Sequence, residues 1–267
     1  MATPLTTKKS LFSLEDKVVL ITGGYGHLGR AIVAGLLDQG ATVVVLGREE
    51  ASFNAAFAEL EDNSKAHFIP CDVASTHSVK AAFKHSSATV GLPSVLINNA
   101  FYSRGNQPES LTDEEFAFGL DGSLGSTYRC IQAIIPFFRE SGAGKIINVA
   151  SMYGIVAPDF GAYTSTPQFT NPPHYGAAKA GVIQLTRYFA SYLGKENIQV
   201  NCVTPGAFPS QPVQAHEAFV AELTQRIPLG RIGQPEDLQG AFVFLSSQAS
   251  NFVTGHNLVV DGGWTIR

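Results

Sequence analysis

Lys17-Val-Val-Leu-Ile-Thr22 runs into the turn Thr22-Gly-Gly-Tyr-Gly-His-Leu-Gly29, which opens onto Arg30-Ala-Ile-Val-Ala-Gly-Leu-Leu37. The first run is apolar and β-branched without alternation, the pattern of a strand covered on both faces. The last has helical spacing. Between a strand and a helix, Gly24, Gly26 and Gly29 let the backbone come close to a pyrophosphate, and the helix N-terminus favours its charge. The stretch predicts a dinucleotide-binding strand–turn–helix unit.

The alternation continues along the chain. Thr42-Val-Val-Val-Leu46 reads as a second strand and 51–62 as a helix. His67 to Cys71 is a third strand ending at Asp72, followed by a helix over 78–86. Val95 to Ile97 is a fourth, ending in Asn98-Asn99-Ala100. Thr112 with Glu115 is a capping box, starting a helix that runs to Phe138. Gly144 to Val149 is a fifth strand, delivering Ser151 at its tip. A long Gly-, Pro-, Ser- and Thr-rich loop over 154–174 leads into a helix over 175–194. Gln199 to Val203 is a sixth strand, closing at Pro205-Gly206, and His256 to Val260 a seventh. No linker splits the series. It predicts one α/β domain over 15–267, a doubly wound Rossmann-type fold with a mainly parallel seven-stranded sheet, after a mobile lead-in at 1–14. In such sheets ligands sit beyond the carboxyl ends of the strands, where Gly23 to Gly29, Arg48, Asp72, Asn99, Ser151 and Pro205 all fall.

Composition narrows the partners. With 267 residues, 45% hydrophobic and 15% charged, the chain can bury a sizeable core. A net charge of −4 with no long basic run argues against nucleic acid. The apolar runs are far short of a membrane span. Met1 to Ser13 has no signal-peptide core, so a cytoplasmic protein is expected. Cys71, Cys130 and Cys202 are widely spaced and read as reduced core thiols. The seven histidines form no metal-binding spacing, and no catalytic metal is expected.

Ser151 to Lys179 carries the chemistry. In a helix, Tyr175 and Lys179 lie one turn apart on one face. A free tyrosine has a pKa of about 10 and is a poor acid/base at neutral pH. A nearby ammonium favours the phenolate, so the phenol can give a proton to a carbonyl oxygen or take one from an alcohol. The Ser151 hydroxyl can hold the same oxygen. Of the eight tyrosines, only Tyr175 has a lysine four residues on.

Taken together, Thr22-Gly23 with Gly29, Asp72, Asn98-Asn99-Ala100, Ser151, Tyr175-x-x-x-Lys179, Asn201 with Pro205-Gly206, and Val260-Asp-Gly-Gly263 resemble the compact branch of the short-chain dehydrogenase/reductases, from Leu14 to Trp264. The resemblance implies that Tyr175 is the acid/base, that Ser151 orients the substrate oxygen, and that Lys179 lowers the tyrosine pKa and holds the nicotinamide ribose. It implies a cofactor site made by Gly23, Tyr25, Gly26, His27, Leu28, Gly29, Arg48, Asp72, Val73, Asn99, Ala100, Tyr175, Lys179, Pro205, Gly206 and Phe208, with Asp72 at the adenine. It also implies a homo-oligomer, a dimer or tetramer, with Phe242 to Trp264 similar to the family's interface segment. Dinucleotide folds bind the adenosine ribose with an acid near the end of the second strand, where this chain has Gly47 and then Arg48. A guanidinium there pairs with a 2′-phosphate, so NADP(H) is favoured over NAD(H); the other reading leaves Arg48 on adenine or in solvent.

Four departures from the family pattern stand out. His27 replaces the middle glycine of the turn, and the resulting G-x-x-G-x-x-G is similar to the nucleotide-sugar branch. Phe101 replaces the glycine of N-N-A-G. Ser123 aligns with the asparagine that binds a relay water. Ser151 and Tyr175 are wider apart than usual because of an insert at 157–174; Tyr163 stands near the usual spacing but has Pro167 where the lysine belongs. A similar insert and a similar V-D-G-G-W-T end occur in relatives associated with sialic-acid-like sugars. The pocket is expected between Phe101 and Tyr102, the insert, and the loop after Pro205, with Arg104 and His174 placed to meet a carboxylate. The expected activity is an NAD(P)-dependent oxidoreductase acting on a secondary alcohol or ketone, of a sugar or sugar acid. The alternatives are a nucleotide-sugar epimerase or dehydratase, suggested by the turn, and a cofactor-binding regulatory protein, suggested by Ser123 and Phe101.

Overall fold

The computed structural model describes residues 10–59, 64–105 and 107–267. Strands β1 (Val18–Thr22), β2 (Thr42–Gly47), β3 (Ala66–Pro70), β4 (Val95–Asn98), β5 (Gly144–Val149), β6 (Ile198–Pro205) and β7 (Asn257–Val260) form one sheet in the order β3-β2-β1-β4-β5-β6-β7. Every neighbouring pair is parallel. The chain winds from β1 out to β3, then returns through β4 to β7, so its direction reverses between β1 and β4, where such sheets open a crevice.

Helices α1 (His27–Asp38), α2 (Glu50–Ala56), α3 (Thr76–Thr89), α4 (Asp113–Leu120), α5 (Ser126–Ser141), α6 (Pro173–Leu193), α7 (Gln211–Gln214), α8 (Glu217–Arg226) and α9 (Gln239–Ser246) connect the strands. Alternate strand side chains feed two cores. Leu20, Val44, Leu96, Ile146 and Val200 pack with Phe83, Ile131, Phe138 and Phe189 of α3, α5 and α6. Val19, Ile21, Val43, Ile97 and Ile147 pack with Ile32, Leu36, Phe242 and Leu245 of α1 and α9. Both faces are covered, which is why the strands read as continuous apolar runs. Each fully buried side chain of this size contributes about 1.5–3 kcal/mol. Among the described residues no helix is long and apolar enough to cross a membrane.

Three boundaries differ from expectation. Residues 1–9 of the expected lead-in lie outside the described residues, but its last residue is core: Leu14 is fully buried and donates its N–H to Gln39 O at 2.8 Å. The helix expected over 51–62 is only Glu50–Ala56, and 60–63 lie outside the described residues. The helix expected from Thr112 to Phe138 is interrupted by a π turn at Asp121–Gly125. Glycine allows it, since a Cβ at 122 would overlap the Tyr102 carbonyl and one at 125 the Asp121 carboxylate. Arg129 locks the turn with two 2.8 Å bonds to Asp121, and the Tyr102 hydroxyl donates to the same carboxylate.

Candidate active site

A cleft of about 520 Å³ runs along the carboxyl ends of the strands. Gly23 turns the chain with φ +63°, and its N–H donates to Leu46 O at 2.8 Å. A Cβ at 29 would overlap the Gly23 carbonyl, so glycine lets α1 press onto the turn. Thr22 and Asn99 stitch this turn to the tip of β4. The Thr22 hydroxyl accepts the N–H groups of Asn99 and Ala100, both at 3.0 Å, and the Asn99 amide donates to Thr22 O at 3.1 Å and Gly23 O at 2.9 Å. His27 begins α1 and is not among the positive-φ residues, so the turn does not require the family's middle glycine there. Gly26 gives α1 no side-chain cap. The first-turn N–H groups are thus left for a ligand, which fits a pyrophosphate.

At the next strand end the Tyr25 ring lies on Gly47 so closely that a Cβ at 47 would overlap it. The Tyr25 hydroxyl accepts the Arg48 N–H at 3.1 Å. A side chain at 47 would have to displace the Tyr25 ring. The walls of the cleft include every residue expected at the cofactor, from Gly23 at the turn to Phe208 beyond β6. Cys71, Val149 and Ala150 line it too and were not anticipated; each directly adjoins a strand end, and that position is the signal that finds them.

Ser151 sits at the tip of β5, and α6 carries Tyr175 and Lys179 one turn apart. Pro173 at the first position of α6 presets the backbone for a helix and needs no N–H partner. The Ser151 hydroxyl accepts the Tyr153 N–H at 3.2 Å and neighbours the Tyr175 phenol. Burial raises the Tyr175 pKa above its usual 10.0, and the Ser151 hydrogen bond draws it back. Lys179, expected to lower that pKa, donates its Nζ to Val149 O at 2.7 Å and stands 5.6 Å from the centre of the Tyr175 ring. Its own pKa falls to about 8 through burial. Phe101, 56% exposed, leans edge-on to Tyr175 with ring centres 6.0 Å apart and lines the same cleft.

Ser123 is separated from this group. It is buried in the π turn against α6 and does not line the cleft. Its carbonyl accepts the Thr127 hydroxyl at 2.8 Å and the Ser126 hydroxyl at 3.2 Å. Arg104 and His174 are engaged elsewhere as well. The Arg104 guanidinium lies over the Phe118 ring at 4.2 Å, and His174 is fully buried with Nε2 2.6 Å from the Ser103 hydroxyl. Neither lines the cleft.

The insert folds beside the cleft through two 3₁₀ turns, Phe160–Tyr163 and Pro167–Phe169, and lines a smaller adjoining cavity rather than the cleft itself. Tyr163 and Phe169 pack on Phe219 of α8 with ring centres 5.6 and 5.0 Å apart, and Asp159 pairs with Arg226 at 2.7 Å. Tyr163 is buried, and its hydroxyl lies 2.5 Å from that of Tyr153. Tyr153 was missed by the sequence reading; its place two residues after Ser151 was the available signal. Among the described residues no cluster of three His, Cys, Asp or Glu could hold a metal.

A family model described as enoyl-(acyl carrier protein) reductase matches residues 26–265. The chain is 35% identical over 260 residues to the 5-keto-D-gluconate 5-reductase of Escherichia coli (strain K12), covering 96% of this chain and 98% of that protein. The crystal structure of a gluconate 5-dehydrogenase from Burkholderia cenocepacia J2315, in complex with NADP and tartrate, matches with a TM-score of 0.86 at 30% identity, covering 97% of this chain and 100% of that one. A short-chain dehydrogenase from Leptospira borgpetersenii serovar Hardjo-bovis (strain JB197), with bound NAD+, matches with a TM-score of 0.86 at 33% identity and 99% of each chain. The chain belongs to the short-chain dehydrogenase/reductase family, NAD(P)-dependent oxidoreductases acting on CH–OH groups.

Proposed function

We propose that the chain interconverts a secondary alcohol and a ketone on a sugar or sugar acid, with Tyr175 as the acid/base and NADP(H) favoured over NAD(H). The observation that carries this is the meeting of Ser151, Tyr175 and Lys179 in the cleft that also holds the glycine turn. When bound, the nicotinamide cofactor supplies or accepts the hydride. The phenol of Tyr175 gives its proton to the carbonyl oxygen in reduction and takes one back from the alcohol in oxidation. Ser151, next to that phenol, holds the substrate oxygen beside it. Lys179 holds the nicotinamide ribose, and its positive charge near the phenol favours the phenolate. Gly47 and Arg48 present no acid to a 2′-phosphate and one guanidinium that can pair with it. Ser123 supports the relay as part of the turn behind α6 rather than as a wall of the cleft. Sugar substrates are supported by the gluconate-linked relatives and by the hydroxyl-bearing insert. The family model's own description names acyl chemistry, so the substrate must be tested directly.

The stacked and exposed Tyr188 and Tyr192 on α6 support self-association, and three unpaired thiols suit a cytoplasmic protein. The deciding experiment is a panel of sugar acids, polyols, steroids and acyl ketones assayed with both cofactors, using the parent and a variant with 160–171 shortened. Turnover of sugar acids or polyols that the shortening weakens is expected. Activity on steroids or acyl ketones alone, indifferent to the shortening, overturns the sugar reading.

A further inference from the structure

Directly before Tyr175 on α6 stands a histidine that the chemistry above does not use. The His174 side chain is fully buried. Its ring presses onto α4, since a Cβ at Gly119 would overlap it, and it meets the Phe116 ring edge-on with centres 6.2 Å apart. Burial holds its pKa below the usual 6.5 against the opposing pull of Glu115, so the imidazole is neutral at pH 7. A neutral imidazole has one nitrogen that donates and one that accepts. Nδ1 is buried without a partner among the described residues, so the hydrogen bonding of the ring falls to Nε2, 2.6 Å from the Ser103 hydroxyl. Losing that bond would leave both nitrogens buried and unmatched, which is costly.

The bond spans two separate segments of the site. Ser103 lies two residues after Phe101, in the loop that follows β4, and Phe101 and Tyr102 both line the cleft. Phe101 in turn reaches back to α6. Its ring stands edge-on to Tyr175 at 6.0 Å, and its centre is 5.7 Å from Lys179 Nζ. The loop therefore meets the first turns of α6 twice, through rings at Tyr175 and through a hydrogen bond at His174, one residue away. Two ties so close together fix both the distance and the angle of the loop to the helix, whereas either alone leaves a pivot. Phe101 is exposed, so packing alone does not keep its ring in one position. A third tie, from Gln107 Nε2 to Pro167 O at 3.0 Å, reaches the insert and not α6.

We infer that His174 and Ser103 are positioning residues for the reaction: their hydrogen bond holds the Phe101–Tyr102 wall of the cleft in register with Tyr175 and Lys179. The inference rests on the reading of Tyr175 as the acid/base and deepens it. Neither residue lines the cleft. They act through the loop after β4 and the first turn of α6, which gives a buried polar ring a use at a place where an apolar side chain would leave no nitrogen unmatched.

The test uses the shapes of two amides. The terminal amide of glutamine falls near the place of Nε2, and that of asparagine near the place of Nδ1. His174→Gln can therefore still bond to Ser103, whereas His174→Asn cannot. Both are compared with the parent and with Ser103→Ala in kcat, KM and NADPH Kd, using the ketone of the panel above that the parent reduces best. Ser103→Ala and His174→Asn should each lower kcat by about ten- to a hundredfold, the effect of a small misplacement at the reacting centre, with the NADPH Kd within about threefold of the parent. His174→Gln should keep most of kcat, and only while Ser103 is present; in a Ser103→Ala background the two amides should perform alike. Amide hydrogen exchange over 100–105 and 173–177 needs no substrate, and should quicken in both segments for Ser103→Ala and His174→Asn but not for His174→Gln. Ser103 is exposed, so its replacement spares the core, and melting curves check the His174 variants. Parent-like kcat or exchange in Ser103→Ala, or two amides that behave alike with Ser103 in place, overturns the inference. Tyr175→Phe, run alongside, separates the two claims. Lost turnover in that variant with a parent-like Ser103→Ala sinks this inference alone, whereas retained turnover sinks the proposed mechanism.

Discussion

Along β1, β2 and β4 the cleft wall is backbone. Gly23 turns, Gly29 lets α1 press down, and Asn99 grips two carbonyls of the turn. Beyond β5 and β6 an adjoining cavity is walled by side chains, phenols and phenyl rings from Tyr153 and from an insert clamped onto α8. The first half offers peptide N–H groups, which any pyrophosphate can use whatever sugar or base it carries. The second offers shape and a few hydroxyls, which discriminate between substrates. Within one sheet edge, the proposed cofactor half is thus built largely from main chain and the proposed substrate half from side chains.

The sharpest way to separate the halves is Tyr175→Phe. It should lower kcat by about 10²–10⁴, the usual contribution of a positioned acid/base, while the cofactor Kd measured by titration stays within about twofold. If Tyr163→Phe is the more damaging change to kcat, the acid/base has been misassigned. Next in size is Arg48→Ala, which acts only on the backbone half. The NADPH-over-NADH ratio of affinities should fall about ten- to a hundredfold, the loss of one charge-assisted pair. A parent that binds NADH more tightly would remove the basis for this preference.

A pH measurement probes the seam between the halves, where Lys179 bonds to the end of β5. Its pKa in the fold is depressed from 10.5 to about 8, so between these values the folded state binds fewer protons than the unfolded one. Stability therefore rises with pH through that window, by about 2 kcal/mol between pH 8 and 10 from this group. Lys145, also lowered to about 8 by burial, contributes in the same direction. Denaturant melts of the parent and Lys179→Met isolate the Lys179 share; equal slopes for the two would refute it. The smallest effect is assigned to Ser123→Ala. With its hydroxyl off the cleft wall, kcat should change by less than about threefold, below the range of a direct acid/base group. A hundredfold loss in an intact fold would return Ser123 to the catalytic group.

The same division explains what could be read in advance. The doubly wound class and the backbone half were legible because glycine spacing, strand-end asparagine and the Tyr175–Lys179 interval act over short stretches, where sequence distance and spatial distance agree. The seven strands were found for the same reason, since burial on both faces leaves continuous apolar runs. Reading failed where partners lie far apart in the chain. Tyr153 gains its meaning from Tyr163 and Phe219, and Arg104 is drawn away by Phe118. The π turn at Asp121–Gly125 was hidden because its cause is Tyr102, in the loop after β4. Leu14 reads as part of a mobile lead-in until Gln39 and the second core are placed beside it.

The contact between Tyr25 and Gly47 constrains how this chain can change. A carboxylate at 47 is the shortest route to a preference for the unphosphorylated dinucleotide, yet its Cβ would strike the ring of Tyr25. Substitution at 47 first must push the Tyr25 ring off the end of β2 and break its bond to the Arg48 N–H. Substitution at 25 first, to a small residue, leaves the turn intact and clears the ground. The two positions lie 22 residues apart in the chain but form a single heritable unit with a preferred order of replacement, and a lineage or an engineer that respects the order meets no valley.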